Sequence, residues 1–394
     1  MAMELNPFAY AFHENPYPIY RWLRDQAPVY RNEAMGFFAL SRYDDVFQAT
    51  IDFETYSSAK GTVLEITPEM VEMFPIILFM DPPRHTRLRR LVSHAFTPRR
   101  IAALEPVARQ LAVRLLDDVF ERRECDFVRD FAAILPIEMI STLVGVPPSD
   151  RTWVRERTDA SLHREPDRPE FPESALAANA QLVQYFSGLV QERRKQPRND
   201  MTSLLLEAEV ENDQGEKERL TDFEIVAFCG LLSGAGNETV TKLLGNAVVL
   251  LARHSDQRRQ LLIDPNRIPD AIEEALRFWP PAQYSARTLT RDITLHGVTM
   301  PRDERVLLLT GSACRDERKF GDADAFRIDR QTSTQLAFGY GLHHCLGASL
   351  ARLESRVSLE ELHARIPEYQ IDETRCERVH MSNVHGFASV PMSW

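Results

Sequence analysis

The run Phe338-Gly339-Tyr340-Gly341-Leu342-His343-His344-Cys345-Leu346-Gly347 puts a lone cysteine in a glycine-kinked turn, just ahead of a helix-forming stretch from Ala348 to Glu354. That arrangement suits the donation of one thiolate to a metal. Gly339 and Gly341 allow a tight fold in which backbone N–H groups point at the sulfur. The following helix aims its positive end at the same atom, which favours thiolate over thiol. Gly347 leaves room for a flat, bulky group. Zinc would need four ligands in paired spacings, and the chain has no Cys-x-x-Cys. A second cluster, Ser233-Gly234-Ala235-Gly236-Asn237-Glu238-Thr239, lies within a long helical pattern. Two glycines inside a helix each cost about 1 kcal/mol relative to alanine. Close approach of a flat group, with local widening of the helix, would account for them. Glu238 and Thr239 supply an acid and an alcohol suited to passing protons. Glu274 and Arg277, three apart, share a helix face and can form an ion pair.

The cysteine turn resembles the haem-binding signature of the cytochrome P-450 family, Phe-Gly-x-Gly-x-His-x-Cys-x-Gly, with every fixed position present. The resemblance implies haem b (iron protoporphyrin IX), with Cys345 as axial ligand of the iron and Phe338, Gly339, His343 and Gly347 around the cofactor. A cysteine thiolate on haem iron pushes electron density toward bound oxygen and favours O–O cleavage. Residues 234–239 resemble the family's oxygen-binding motif, Ala/Gly-Gly-x-Asp/Glu-Thr, which places Ala235 against the cofactor and gives Glu238 and Thr239 catalytic roles. Asn237 and Val240 stand where many members have other residues. Glu274-x-x-Arg277 resembles the pair that, in this family, locks onto a further basic residue and fixes the cysteine loop; Arg315 and Arg330 are both candidates. His85, Arg89, Arg287 and His343 match family positions that contact the haem propionates, a role that suits arginine because its fork binds carboxylates at two points. By family position the substrate pocket is lined by residues 61–79, Leu231, Gly234, Ala235, residues 283–286 including Gln283, and Phe387. The segment Val71 to Phe79 is very apolar, which implies a hydrophobic substrate with few charges. The resemblance runs from about Pro16 to the C-terminus.

The chain therefore looks like a soluble bacterial haem-thiolate monooxygenase. Such an enzyme activates dioxygen to hydroxylate or epoxidise a hydrophobic small molecule. No flavin or nicotinamide fingerprint is present, so electrons would come from a separate ferredoxin or flavodoxin with its NAD(P)H-dependent reductase. Such carriers are usually acidic, and Arg84, Arg87, Arg90, Arg99, Arg100 and Arg352 would form a basic docking face. A peroxide-driven, isomerising or coupling enzyme on the same scaffold, and a haem-based gas sensor, are the alternatives.

Bulk properties agree. Across 394 residues the formal charge is −11, which argues against a nucleic-acid-binding surface. The five cysteines (125, 229, 314, 345 and 376) are scattered, fitting a reducing cytosol. The N-terminus lacks the basic and apolar regions of a signal peptide. The apolar stretches fall short of a membrane span. A cytoplasmic protein that binds neither membrane nor nucleic acid is expected.

Helical periodicity dominates the elements that must position these residues. It predicts helices over Tyr17–Gln26, Arg84–Phe96, Ile101–Arg122, Phe131–Val144, Pro172–Lys195, Thr221–His254, Pro269–Trp279 and Ala348–Arg365. Strand patterns are short: Val29–Tyr30, Phe37–Leu40, Ser285–Leu289, Ile293–Leu295 and Arg305–Leu309. Charged stretches at Arg164–Pro172 and Glu207–Arg219 read as surface loops. The expectation is a mainly α fold with small β-sheets, a cytochrome P-450 fold formed as one domain over residues 1–394, because proposed cofactor contacts from His85 to Cys345 must meet at one place.

Overall fold

The computed structural model describes residues 4–73, 76–165, 168, 170–211, 216–381 and 383–394. Part of each predicted loop, and Phe74 and Pro75 of the apolar segment, lie outside them. The fold is mainly α with small sheets. At its centre runs the helix Asp222–Arg253, roughly 48 Å long at 1.5 Å per residue. It opens with a reciprocal capping box: the Thr221 hydroxyl accepts from the Glu224 N–H, and the Glu224 carboxylate accepts from the Thr221 N–H. Its second half is buried almost all round, Val240 to Leu251, so no face of it can be read as solvent-facing. The helices Ile134–Val144, Glu173–Lys195, Ile268–Phe278 and Ala348–Arg365 all pack on it.

A five-stranded sheet forms the other wall. Its order is Val29–Asn32, Phe37–Leu40, Arg305–Leu308, Ser285–Leu289 and Tyr56–Ser57. Phe37–Leu40 is wholly buried and pairs parallel with Arg305–Leu308, which pairs antiparallel with Ser285–Leu289. In that register Arg287 sits opposite Val306, with its strand held on both sides. None of the helices formed by the described residues is long and apolar enough to cross a membrane.

Several elements depart from the periodicity. Ile101–Arg122 is two helices, Pro98–Ala102 and Glu105–Phe120. Pro106 supports a new start in the first turn, where its missing N–H costs nothing. Within Glu207–Arg219 the short strands Glu209–Glu211 and Lys217–Arg219 pair antiparallel, tied by Arg219 to Glu209, and these charged strands carry no alternation to read. The helices Tyr43–Ile51, Arg151–Leu162, Met201–Glu207 and Ser255–Ile263 were not expected. Two of them bury only two residues each, Val154 and Thr158 in one, Arg258 and Leu261 in the other. So narrow a contact stripe leaves almost no apolar period in the sequence.

Candidate active site

Gly339 (φ 66°) and Gly341 (φ 64°) both lie in the left-handed region, which closes the turn ahead of Cys345 at little steric cost. The turn is sealed where Cys345 N–H donates to the Phe338 carbonyl at 2.8 Å. Helix Ala348–Arg365 starts directly behind, and the N–H groups of Gly347 and Ala348 both act on Sγ to lower the thiol pKa. Burial outweighs them and holds it above the usual value; Arg89 and Arg352 pull the same way as the N–H groups. Cys345 nonetheless carries accessible surface, and that surface faces the main cavity. The sulfur is thus encircled by positive dipoles and charges, and a bound cation would complete its conversion to thiolate.

The loop is clamped from outside. Arg352 stacks over Phe338 at 4.6 Å and its Nε reaches Glu273 at 2.5 Å. Arg89 Nη2 donates to the His344 carbonyl at 2.8 Å. Below lies the buried pair Glu274–Arg277, joined by two 2.7 Å bonds, with neither side chain exposed. Arg277 also donates to the carbonyls of Cys314 and Ala323. Arg330 donates to Glu274 at 3.3 Å, and the backbone N–H of Arg327 does so at 2.9 Å. The third basic partner is therefore Arg330. Arg315 instead pairs with Asp324 and stacks on Phe278.

Beside the cysteine, two arginines and two histidines converge, with little to neutralise the guanidinium charges. His85 and His343 have ring centroids 4.4 Å apart, and His343 Nε2 is 3.2 Å from the Ser58 hydroxyl. Both nitrogens of His85 are buried without a hydrogen bond. Arg287 is buried, donates to its neighbour's carbonyl and has its pKa pushed down to about 10 by burial. Burial and then Arg287 push His343 down to about 3; burial followed by Arg89 lowers His85. Asp81, the carboxylate nearest Arg287, is held by Ser57 and by the Ser58 N–H. Orphaned histidine nitrogens and under-neutralised arginines at one cavity edge fit a ligand with two carboxylates, as haem has.

His85, Arg89, Ala235, Arg287, Phe338, Gly339, His343, Cys345 and Gly347 all line one cavity of about 510 Å³, together with Leu231 and Thr239. Thr239 Oγ1 donates to the Ala235 carbonyl at 2.9 Å. Glu238 is not on the wall: it pairs with Lys242 at 3.1 Å. Its charge, after burial, helps raise Asp159 to about 6, and Asp159 in turn accepts from Asn237. The helix stays α-helical through Gly234–Thr239, so it does not widen there. At Gly236 a side chain would strike Ile140 at 2.9 Å, so that glycine admits a neighbouring helix.

Three expected pocket residues lie elsewhere. A side chain placed at Gly234 would meet Leu162 at 3.7 Å, and the glycine does not line the cavity. Gln283 is buried behind the strand, donating to the Pro280 carbonyl. Phe387 packs under Arg378 and against Trp279. Of the expected stretch 283–286, Tyr284 and Ser285 do line the cavity and Ala286 does not; Leu232, Gly236, Pro281 and Ala282 join them. From the loop, Thr62, Val63, Ile66, Ile77, Leu78 and Phe79 contribute, whereas none of Pro68–Met73 is buried. Two residues escaped the sequence reading. Glu354 is a fully buried carboxyl pushed well above its usual range by desolvation. Arg164 comes from a stretch read as a surface loop, yet its half-buried side chain lines the cavity.

A chain in which a lone thiolate, a cluster of buried cations and a threonine-bearing central helix enclose one apolar chamber has close relatives. The Cytochrome P-450 family profile matches residues 170–262 and 268–364. A provisionally named cytochrome P-450 of Mycobacterium tuberculosis is 47% identical over 392 residues, 99% of this chain and 96% of that protein. This chain belongs to the cytochrome P-450 family. The methyl-branched lipid omega-hydroxylase of the same organism is 37% identical over 366 residues, covering 91% of this chain and 84% of that one. The solved structure of cytochrome P-450 CYP109Q5 from Chondromyces apiculatus matches with a TM-score of 0.91 at 34% identity, covering 100% of this chain and 98% of that chain. The protein is accordingly a haem-thiolate cytochrome P-450 monooxygenase, an oxidoreductase that uses dioxygen and an organic substrate.

Proposed function

We propose that residues 1–394 act as one haem b domain in the cytoplasm, hydroxylating or epoxidising an apolar small molecule with electrons from a separate ferredoxin or flavodoxin and its NAD(P)H-dependent reductase. The observation that carries this is the shared chamber: Cys345 and Thr239 line the same largely apolar cavity. When bound, thiolate-ligated haem supplies reductive activation of dioxygen. Cys345 would hold it from one side, while His85, Arg89, Arg287 and His343 would take its carboxylates. Apolar walls from Leu231, Phe79 and Phe228 bind the substrate and exclude water. Thr239 offers its hydroxyl at the chamber wall, where it can hold and relay a proton. Glu238, fixed to Lys242 just behind, must leave that pair to follow.

Turnover under isotopically labelled dioxygen tests the reading: one labelled oxygen in the product is expected, and label arriving from water overturns it. Thr239→Val should leave substrate binding unchanged and lower dioxygen-driven product formation by about a hundredfold, with peroxide-driven turnover untouched. Equal loss under both oxidants would show that Thr239 packs and does not relay protons.

For docking, the structure divides the basic residues. Arg87 is consumed by Glu218 and Glu224, and Arg352 by Glu273. Arg84, Arg90, Arg99 and Arg100 are exposed and carry no ion pair among the described residues. The short helix bearing Arg99 and Arg100 packs on the helix that follows Cys345. Reversing both charges should slow reduction by an acidic carrier by roughly tenfold at low salt without altering substrate affinity; stopped-flow reduction measures it, and an unchanged rate removes this face from the docking surface.

A further inference from the structure

The charged groups lining the chamber fall into two places. His85, Arg89, Arg287 and His343 gather around the cysteine loop, and Glu354 is held neutral by burial. Arg164 stands apart from them. It follows the helix Arg151–Leu162, and the charged group acting on it is Glu65, not any of those four. Its other neighbours are Phe171, 4.0 Å beneath the guanidinium, and the carbonyls of Ser161 and His163. Among the described residues no hydrogen bond, ion pair or ring contact joins Arg164 to Cys345 or its turn, although both line the cavity.

The bonding of Arg164 is lopsided. Nη1 donates to the His163 carbonyl at 2.8 Å and, weakly, to Ser161 at 3.5 Å. Among the described residues Nε, which is buried, meets no acceptor, and Nη2 has no hydrogen bond. No ion pair within 4.0 Å joins Arg164 to a carboxylate among the described residues. Burial lowers its pKa and Glu65 only partly restores it. Stacking on Phe171 offsets some of the desolvation, and Nη1 caps the end of its helix. The Nε–Nη2 edge, the fork that grips a carboxylate at two points, has no structural use.

We propose that Arg164 is the anion-recognition point of the substrate chamber, and that the enzyme's substrates are apolar molecules bearing a carboxylate, which accepts from Nη2 and Nε while the apolar body runs toward the cysteine side. This deepens the monooxygenase reading and rests on it. Phe79, Phe96, Phe228, Leu231 and Leu243, which line the same chamber, suit the apolar body of such a molecule. Glu65 acts on Arg164 through its charge alone, and so competes electrostatically with a bound carboxylate.

The test uses haem-loaded protein, with binding read by calorimetry and by the shift of the haem band. The probes are dodecanoate, hexadecanoate and a steroid carboxylic acid, each beside its methyl ester. The acids should bind about tenfold or more tighter than the esters, and Arg164→Gln should weaken the acids by roughly tenfold to a hundredfold while leaving the esters within about twofold. Arg164→Lys should keep part of the preference, and Glu65→Gln should sharpen it. Acids no tighter than esters in the unaltered protein, or equal weakening of both in Arg164→Gln, overturns the proposal. Failure of the monooxygenase reading would show separately, as absence of the thiolate-type carbon-monoxide band in the unaltered protein.

Discussion

Cys345→Ala should abolish the red-shifted band that reduced, haem-loaded protein gives with carbon monoxide, and lower dioxygen-driven turnover by about three orders of magnitude or more, at least ~4 kcal/mol in the barrier. The surroundings of the sulfur require it. Two backbone N–H groups and two arginines act on this one atom, and the other four cysteines lie elsewhere: Cys229 and Cys314 are buried, with thiols pushed up to about 12 and about 11. Neither they nor Cys125 and Cys376 line the chamber. His343 and His344 flank the position, but His343 is engaged with Ser58, and its ring is crowded by Arg287, Arg89 and His85. A Cys345→Ala protein that kept the band would show that another ligand holds the iron, and the account of the site would fail with it.

Glu274→Ala should destabilise the protein by about 3–5 kcal/mol, because it leaves Arg277 charged, fully buried and without its partner. The double replacement Glu274→Leu with Arg277→Met should cost clearly less than the sum of the single changes, since neither charge is then stranded. Chemical denaturation of all three variants measures this. Additive losses would mean that the pair's ties to the backbone, Cys314 and Ala323 from Arg277 and Arg327 from Glu274, matter more than the ion pair. Haem retention should fall in step with stability, because the anchored segment leads into the loop that carries Cys345.

Much of the site was legible because its residues are close in sequence or carry a backbone demand. The glycine-kinked cysteine turn is local, and its glycines are there for positive φ. The capping box at Thr221 and Glu224 is a four-residue device, and it formed as read. Residues 234–239 were less faithful to their pattern. Thr239 faces the chamber, but Glu238, one position before it, points about 100° away round the helix and meets Lys242, one turn further along.

What the sequence determined by itself was the ligand turn, the long helix that faces it and the mainly α class, all set by short-range geometry and periodicity. Tertiary structure alone decided the choice of Arg330 over Arg315, the exclusion of Gly234, Gln283 and Phe387 from the chamber, and the place of Arg164 on the chamber wall. Each of these depends on which distant segment happens to lie opposite. Arg330 is 56 residues from Glu274, and Arg164 owes its charge environment to Glu65, on a loop far back in the chain. Long side chains with polar tips can end in solvent or in the interior with the same local sequence, so only the packed fold shows which.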